Sequence, residues 1–206
     1  MFSRPTTNER ERVLPGDCVV HDAAGQVMHA VTIAAPPESV WPWLVQMGAG
    51  RAGWYSYDWI DNDGRPSSTT IVPALQHLAV GDIMPSLPGA TDSFLVAVIQ
   101  PFRDLVLTVA AADGSALVSW EFLLEPTGTG QTRLMVRGRV SALWPGGGAR
   151  KSPSSSRPIE KAYWLLARIP RWLMIPAAMF GHGVMQAHQL QGIKHRAERL
   201  EKLGPV

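Results

Sequence analysis

Residues His29–Asn62 read HAVTIAAPPESVWPWLVQMGAGRAGWYSYDWIDN, and their order decides the fold. Val27, Ala30, Val31 and Ile33 make an apolar, partly β-branched run, which predicts a strand over Val27–Ile33. Ala34-Ala35-Pro36-Pro37 stops it and opens a helix, because the amides of a first helical turn lack partners and proline's φ already suits that turn. Glu38 there favours the helix dipole. Val40, Trp43 or Leu44, and Met47 continue a stripe at helical spacing, with Pro42 as an irregularity near the start. Gly48–Gly53 ends that helix, and the aromatic segment Trp54-Tyr55-Ser56-Tyr57-Asp58-Trp59 follows as a helical turn or a loop packed on a sheet.

Beyond this stretch, Asn62–Thr70 is a loop by composition and Ile71–Leu78 a short apolar piece. Strands are expected at Ile83–Ser86, Ser93–Gln100, Asp104–Ala111, Leu117–Glu125 and Thr132–Ser141. The connections between them are short, which predicts an antiparallel meander rather than βαβ units. In the last two strands Trp120, Phe122, Leu124, Leu134, Val136 and Val140 alternate with Ser119, Glu121, Glu125, Arg133, Arg137 and Arg139. Side chains of a strand point alternately to its two faces, so one face of the sheet should be dry and the other wet or basic. Arg137 and Arg139 belong to that basic face, with a guanidinium at an internal cavity as the alternative.

Residues 1–24 read as a polar arm with a turn at Leu14–Asp17, and residues 25–203 as one domain. Within it, 142–158 form a Gly, Ser and Pro-rich linker and 159–176 an inserted helical segment. Ile159–Trp172 is expected as one helix, with Pro176 starting a second that runs to about Leu203. Ala177, Phe180, Val184, Ala187, Leu190, Ile193, Ala197 and Leu200 recur along the second at spacings of three and four.

With 206 residues the chain suffices for one domain with a sizeable core. A net charge of +2 argues against a nucleic-acid partner, which needs a concentrated basic face. The single cysteine, Cys18, rules out an internal disulfide framework and a cysteine-rich metal site. The first residues lack a signal-peptide core, and nowhere do about 20 apolar residues run unbroken. A cytoplasmic location is the expectation. Six histidines show no metal-ligand spacing, and His182 and His188, six apart on a helix, do not share a face. Gly48–Gly53 contains GxGxxG, but it follows a helix, whereas a dinucleotide fingerprint follows a strand and opens a helix. Neither a metal nor another cofactor is expected.

Three stretches carry a likeness to a known family: APPESVWPWLVQMGAGRAGWYSYDW, IVPALQHLAVGD at Ile71–Asp82, and QGIKHRAERLE at Gln191–Glu201. Together with the order of elements they resemble the SRPBCC superfamily, the START and polyketide-cyclase/dehydrase group, in its bacterial members. The resemblance covers roughly 14–141 and 180–202. It implies an α+β helix-grip fold: a curved antiparallel sheet wrapped around a long C-terminal helix, two short helical pieces after the first strand, and an apolar cavity between sheet and helix. The inserted segment before the C-terminal helix departs from the simplest form of that family.

The densest polar-aromatic group is Trp54, Tyr55, Tyr57, Asp58 and Trp59, read either as a pocket wall with hydroxyls and a carboxylate to orient a ligand or as core aromatics with Asp58 capping a turn. Trp120 from the sheet and Phe180, His182 and Met185 from the C-terminal helix complete the candidate ligand-binding set. Arg51 is read as an anion anchor or a solvent-facing side chain. These residues point to a hydrophobic or aromatic small-molecule ligand. An aromatase/cyclase- or dehydrase-type enzyme, with Asp58 or His182 as general base, is the alternative. A third reading places a peripheral membrane contact or a homodimer interface on the tryptophan-rich 161–175 segment, where Tyr163, Trp164 and Trp172 sit among Lys161, Arg168 and Arg171.

Overall fold

Six strands pair antiparallel in the spatial order β1-β6-β5-β4-β3-β2, where β1 is Ala23–Ile33, β2 Ile83–Pro85, β3 Ser93–Gln100, β4 Asp104–Ala110, β5 Ala116–Pro126 and β6 Thr132–Ser141. The computed structural model describes residues 4–87, 93–128, 130–144 and 169–203, with the backbone alone for Arg171. Hairpins join β2 through β6, as the short turn-rich connections predict, and β1 closes the sheet on β6 with Val31 opposite Leu134 and Val27 opposite Gly138. Strand β1 begins four residues before the predicted start, because Ala23–Gln26 find partners in Arg139–Ser141 around a bulge.

Two short helices precede the sheet, α1 (Thr7–Glu11) and α2 (Pro15–Val19). After β1 come α3 (Pro37–Val45) and the single turn α4 (Asp58–Asp61), then a 3-10 turn at Pro73–Leu75. Helix α5, Arg171–Leu203, packs on the inner face of the sheet against β1 and also against α3. This is the helix-grip architecture.

Alternation builds the main core. Val31, Ile33, Phe122, Leu124, Leu134 and Val136 point inward to meet Leu44 of α3 and Leu190 and Ile193 of α5, all at most 1% exposed. Each such side chain contributes about 1.5–3 kcal/mol through its removal from water. Helix α3 has no polar stripe in its second half: Val40, Trp41, Trp43, Leu44 and Val45 are all buried, since sheet, α5 and the loop after α3 enclose it.

Three predictions need correction. The face expected to be wet is closed: Arg137 is 2% exposed, covered by the arm, whose Leu14 packs with Ala30, Leu123 and Met135 in a second small core. The C-terminal helix starts at Arg171 rather than Pro176, so Pro176 is an interior residue that forfeits one backbone bond to Trp172. The residues of the expected linker from Pro145 on, and those of the expected inserted helix up to Arg168, lie outside the described residues. Third, the apolar repeat from Ala177 to Leu200 does not mark one face. Each step of three residues turns back by about 60° around the helix, so Leu190, Ile193 and Ala197 are buried while Ala177, Phe180 and Val184 are exposed.

Candidate functional site

The inner face of the sheet carries an aromatic stack centred on Trp120. Its ring lies 5.3 Å from Trp54, 5.1 Å from Phe94 and 4.9 Å from Phe122, and meets the imidazole of His182 edge to face at 5.4 Å. Strand alternation brings Trp120 and Phe122 to this face. Trp54 arrives from the loop after α3, where its Nε1 donates to the Ser86 carbonyl at 2.8 Å.

A chain of amides runs from the stack along α5. Trp120 Nε1 donates to Gln186 Oε1 (2.7 Å), Gln186 Nε2 donates to Gln189 Oε1 (2.7 Å), and Gln189 Nε2 reaches Met47 Sδ (3.6 Å). An indole nitrogen only donates, so the order of donors along the chain is fixed from that end. Both glutamines are buried, and satisfying them this way avoids the roughly 1–3 kcal/mol that each unpaired buried amide group costs.

Beyond Trp120 two imidazoles come together. His29, inward on β1, packs against the backbone of α5 at Gly183, and His182 packs on β6 at Gly138; a Cβ at either glycine would stand 3.5 Å from the facing imidazole Nε2. Desolvation, then the proximity of His29, pushes His182 down to about 4; desolvation also lowers His29. Neither imidazole hydrogen-bonds to another residue in the described part of the chain. Both are half-buried rather than sealed. At neutral pH each is uncharged and offers one N–H donor and one nitrogen acceptor. The result is an apolar aromatic surface bordered by two neutral, unengaged polar groups.

The remaining predicted residues separate. Trp54, Trp120 and His182 are brought together here, whereas Met185 is tied through its backbone carbonyl, which accepts from Ser56 Oγ at 3.1 Å. Tyr55 is a core residue at φ 59°, with its hydroxyl accepting from Gln46 Nε2 (2.9 Å), its ring under the Arg196 guanidinium (4.5 Å), and its ionisation pushed up by burial. A side chain at Gly192 would collide with the Tyr55 carbonyl, so that glycine admits the loop onto α5. Tyr57 stacks on His188 at 4.4 Å, and both Asp58 oxygens hold Ser67, one through its amide and one through its hydroxyl. Asp58 therefore fixes the loop and is not placed to take a ligand's proton. Trp59 is 75% exposed and Phe180 77% exposed, so both are outward-facing and not part of a wall between sheet and helix.

Arg51 is neither an anion anchor nor solvent-facing. Its Nε and a terminal nitrogen donate to the Met47 and Val45 carbonyls at 2.8 and 2.9 Å, which caps the end of α3, while Gly48 and Gly53 bond reciprocally to close the glycine loop. Among the described residues no group of three or more His, Cys, Asp or Glu side chains converges as metal ligands would. Sequence reasoning missed His29, Phe94, Gln186 and Gln189. The signal for His29 was its inward place in the alternation Val27, His29, Val31, Ile33; for the glutamines it was their spacing of three in an uncharged helical run.

The geometry defines the class: an antiparallel sheet gripping a C-terminal helix over an aromatic inner face. No protein-family model matches the chain, and no curated protein sequence matches it. Solved structures that it is similar to include a START superfamily protein from Mycobacterium smegmatis (17% identity, covering 85% of this chain and 98% of that one, TM-score 0.41). A polyketide-cyclase-like protein from Corynebacterium glutamicum is another (18% identity, 80% and 88% covered, TM-score 0.38). A protein from Nitrosomonas europaea shows 13% identity over 87% of this chain and 97% of its own, with a TM-score of 0.47.

Proposed function

We propose that the protein binds a hydrophobic or aromatic small molecule between the inner face of the sheet and α5, against Trp54, Phe94 and Trp120. His29 and His182 then orient the ligand through a neutral hydroxyl, carbonyl or similar group. The observation that carries this reading is the pair of unengaged imidazoles beside a three-ring aromatic surface. Neither residue has a nitrogen among the sealed, unpartnered side-chain atoms of the described residues, so both imidazoles stay open to a ligand's polar group. Ligand burial there would contribute about 25 cal/mol per Å² of apolar area removed from water.

The test is native mass spectrometry of freshly purified protein, followed by extraction and titration of the recovered or candidate aromatic compounds by tryptophan quenching. A stoichiometric apolar molecule that quenches Trp54 and Trp120 supports the reading. An empty protein whose fluorescence and melting temperature ignore an aromatic panel overturns it.

One observation favours a second reading, an enzyme of the cyclase or dehydrase type: a neutral imidazole is the basic form, and a general base contributes about 10²–10⁴-fold to a rate. His182→Gln separates the two. A carrier should lose about tenfold or less in affinity and have no turnover to lose, whereas an enzyme should keep its affinity and lose most of its turnover.

A further inference from the structure

The interface between the N-terminal arm and the outer face of the sheet is rich in hydrogen bonds, yet it contains defects. Helix α2 lies across β3, β4, β5 and β6 and covers Glu121 of β5, which is 1% exposed. Glu121 Oε2 accepts from the Gly16 amide at 2.9 Å, and a Cβ at Gly16 would stand 2.7 Å from that oxygen, so glycine is what lets the helix sit so close. Among the sealed side-chain atoms of the described residues that have no hydrogen-bond partner, three lie here: Glu121 Oε1, Asp104 Oδ1 and Arg137 Nε. A buried carboxylate with a donor on one oxygen alone is costly as an anion, whereas the neutral acid costs much less.

The charges around Glu121 point the same way. Arg137 stands directly opposite it on β6, but its terminal nitrogens are committed to Asp17 and to the Glu9, Arg10 and Arg12 carbonyls. Asp104 is its diagonal neighbour on β4, paired with Arg103 at 3.3 Å. Helix α2 brings Asp17 and the exposed Cys18, and β3 carries no titratable side chain. Glu125, further along β5 itself, is held by Arg12. Burial, with Asp104 and Asp17 adding against the Gly16 amide, raises Glu121 to about 7.

Once ionised, Glu121 needs water at its second oxygen. Its own strand is paired on both sides, with β4 and β6. The cover is a five-residue helix of which only Gly16 is buried, so α2 is the part that yields. We propose that the N-terminal arm is a proton-gated strap: α2 stays on the sheet while Glu121 carries a proton and lifts away when that carboxyl ionises. Lifting takes Asp17 from Arg137 and Arg139 and opens the row of arginines on β6 to solvent.

Hydrogen exchange of the Gly16 amide, read by NMR and divided by its intrinsic rate at each pH, measures this opening. The docked arm binds the Glu121 proton with a pKa of about 7 and the lifted arm with one near 4.5. Opening should therefore grow about tenfold per pH unit, about a hundredfold from about pH 5 to about pH 7, and level off above that. Amides at the centre of β5 and β6 should stay better protected than Gly16 throughout, which separates lifting of the arm from global unfolding. Glu121→Gln keeps an oxygen for the Gly16 amide but cannot ionise, so its Gly16 protection should not change with pH. Three results sink the proposal: protection of Gly16 that is flat in the wild type, the same slope in Glu121→Gln, or exchange at Gly16 no faster than in the central strands. If circular dichroism shows that variant unfolded, the wild-type slope and its comparison with the central strands still decide the matter. All of these readouts lie on the outer face, so they stand or fall apart from ligand binding on the inner one.

Discussion

Strand β6 presents two interiors that differ in kind. On one side Leu134, Val136 and Gly138 look toward α5; on the other Arg133, Arg137 and Arg139 look toward the N-terminal arm. The arginine side is closed by the arm, with Arg137 Nε and Glu121 Oε1 left unbonded. Arg137 donates to the Glu9, Arg10 and Arg12 carbonyls and to Asp17; Arg133 takes Glu9, and Arg139 takes Asp17 and the Val20 carbonyl. Most of its hydrogen-bonding capacity is already used by the chain itself. The α5 side is packed with rings, yet its two imidazoles make no hydrogen bond to any described residue. Charge density is therefore a poor guide to where this protein works: the residues of highest charge strap an arm down, and the neutral face keeps capacity for a ligand.

Arg137→Ala should break the contrast most. It leaves three partly buried backbone carbonyls of the arm and part of Asp17 without the donor that they share, and removing one member of such a network costs up to about 3–5 kcal/mol. Urea denaturation should show that loss, and trypsin should cut at Arg10 and Arg12 markedly faster; a change under about 1 kcal/mol would mean that the arm is held chiefly by Leu14 and Val20.

The two faces should also answer pH with opposite signs. On the arm side burial, with Asp104 and Asp17 adding, raises Glu121 to about 7, although its Oε2 accepts from the Gly16 amide at 2.9 Å. The folded state then holds a proton that the unfolded chain releases near 4.5, so stability rises as pH falls from about 7 to about 4.5. On the ligand side His182, at about 4 when folded and 6.5 unfolded, makes stability fall as pH drops from about 6.5 to about 4. Glu121→Gln should stabilise the protein at pH 8 by roughly 2 kcal/mol and reduce the first slope alone; His182→Gln should reduce the second. Asp61, also raised to about 7 by desolvation and Asp58, slopes as Glu121 does and sets the residual in the first variant. Thermal melts across the pH range decide it, and a common slope in both variants would erase the distinction.

Trp120→Phe is the mildest probe. It keeps most of the stack but leaves Gln186 Oε1 without its donor, a loss of about 1–2 kcal/mol with little change in the arm's protease resistance.

Much of the architecture was legible in the chain. Alternation gave the strands β2 to β6 to within a residue or so, and Pro36-Pro37 marked the start of α3. The site was legible in part: Trp54, Trp120 and His182 converge, whereas Tyr55, Tyr57 and Asp58 serve the loop after α3, and Trp59 and Phe180 face outward. The dense aromatic run misled because six neighbouring residues in a loop need not face one way, and Asp58 found its partner, Ser67, nine residues on. On α5 the apolar repeat winds around the helix, so counting steps of three and four does not give one face.

Sequence by itself determined the strands β2 to β6 and the start of α3, since those follow from a period of two and from proline stops, but not α1, α2 or the start of α5. Only the tertiary structure decided what each face meets. Arg137 is basic and solvent-facing by pattern, yet the arm buries it; His29 and Gln186 look unremarkable, yet pairing β1 with β6 under α5 brings them to the stack around Trp120. The physical reason is that periodicity is a property of neighbours in the chain, whereas burial and partnership depend on which distant segment arrives on top.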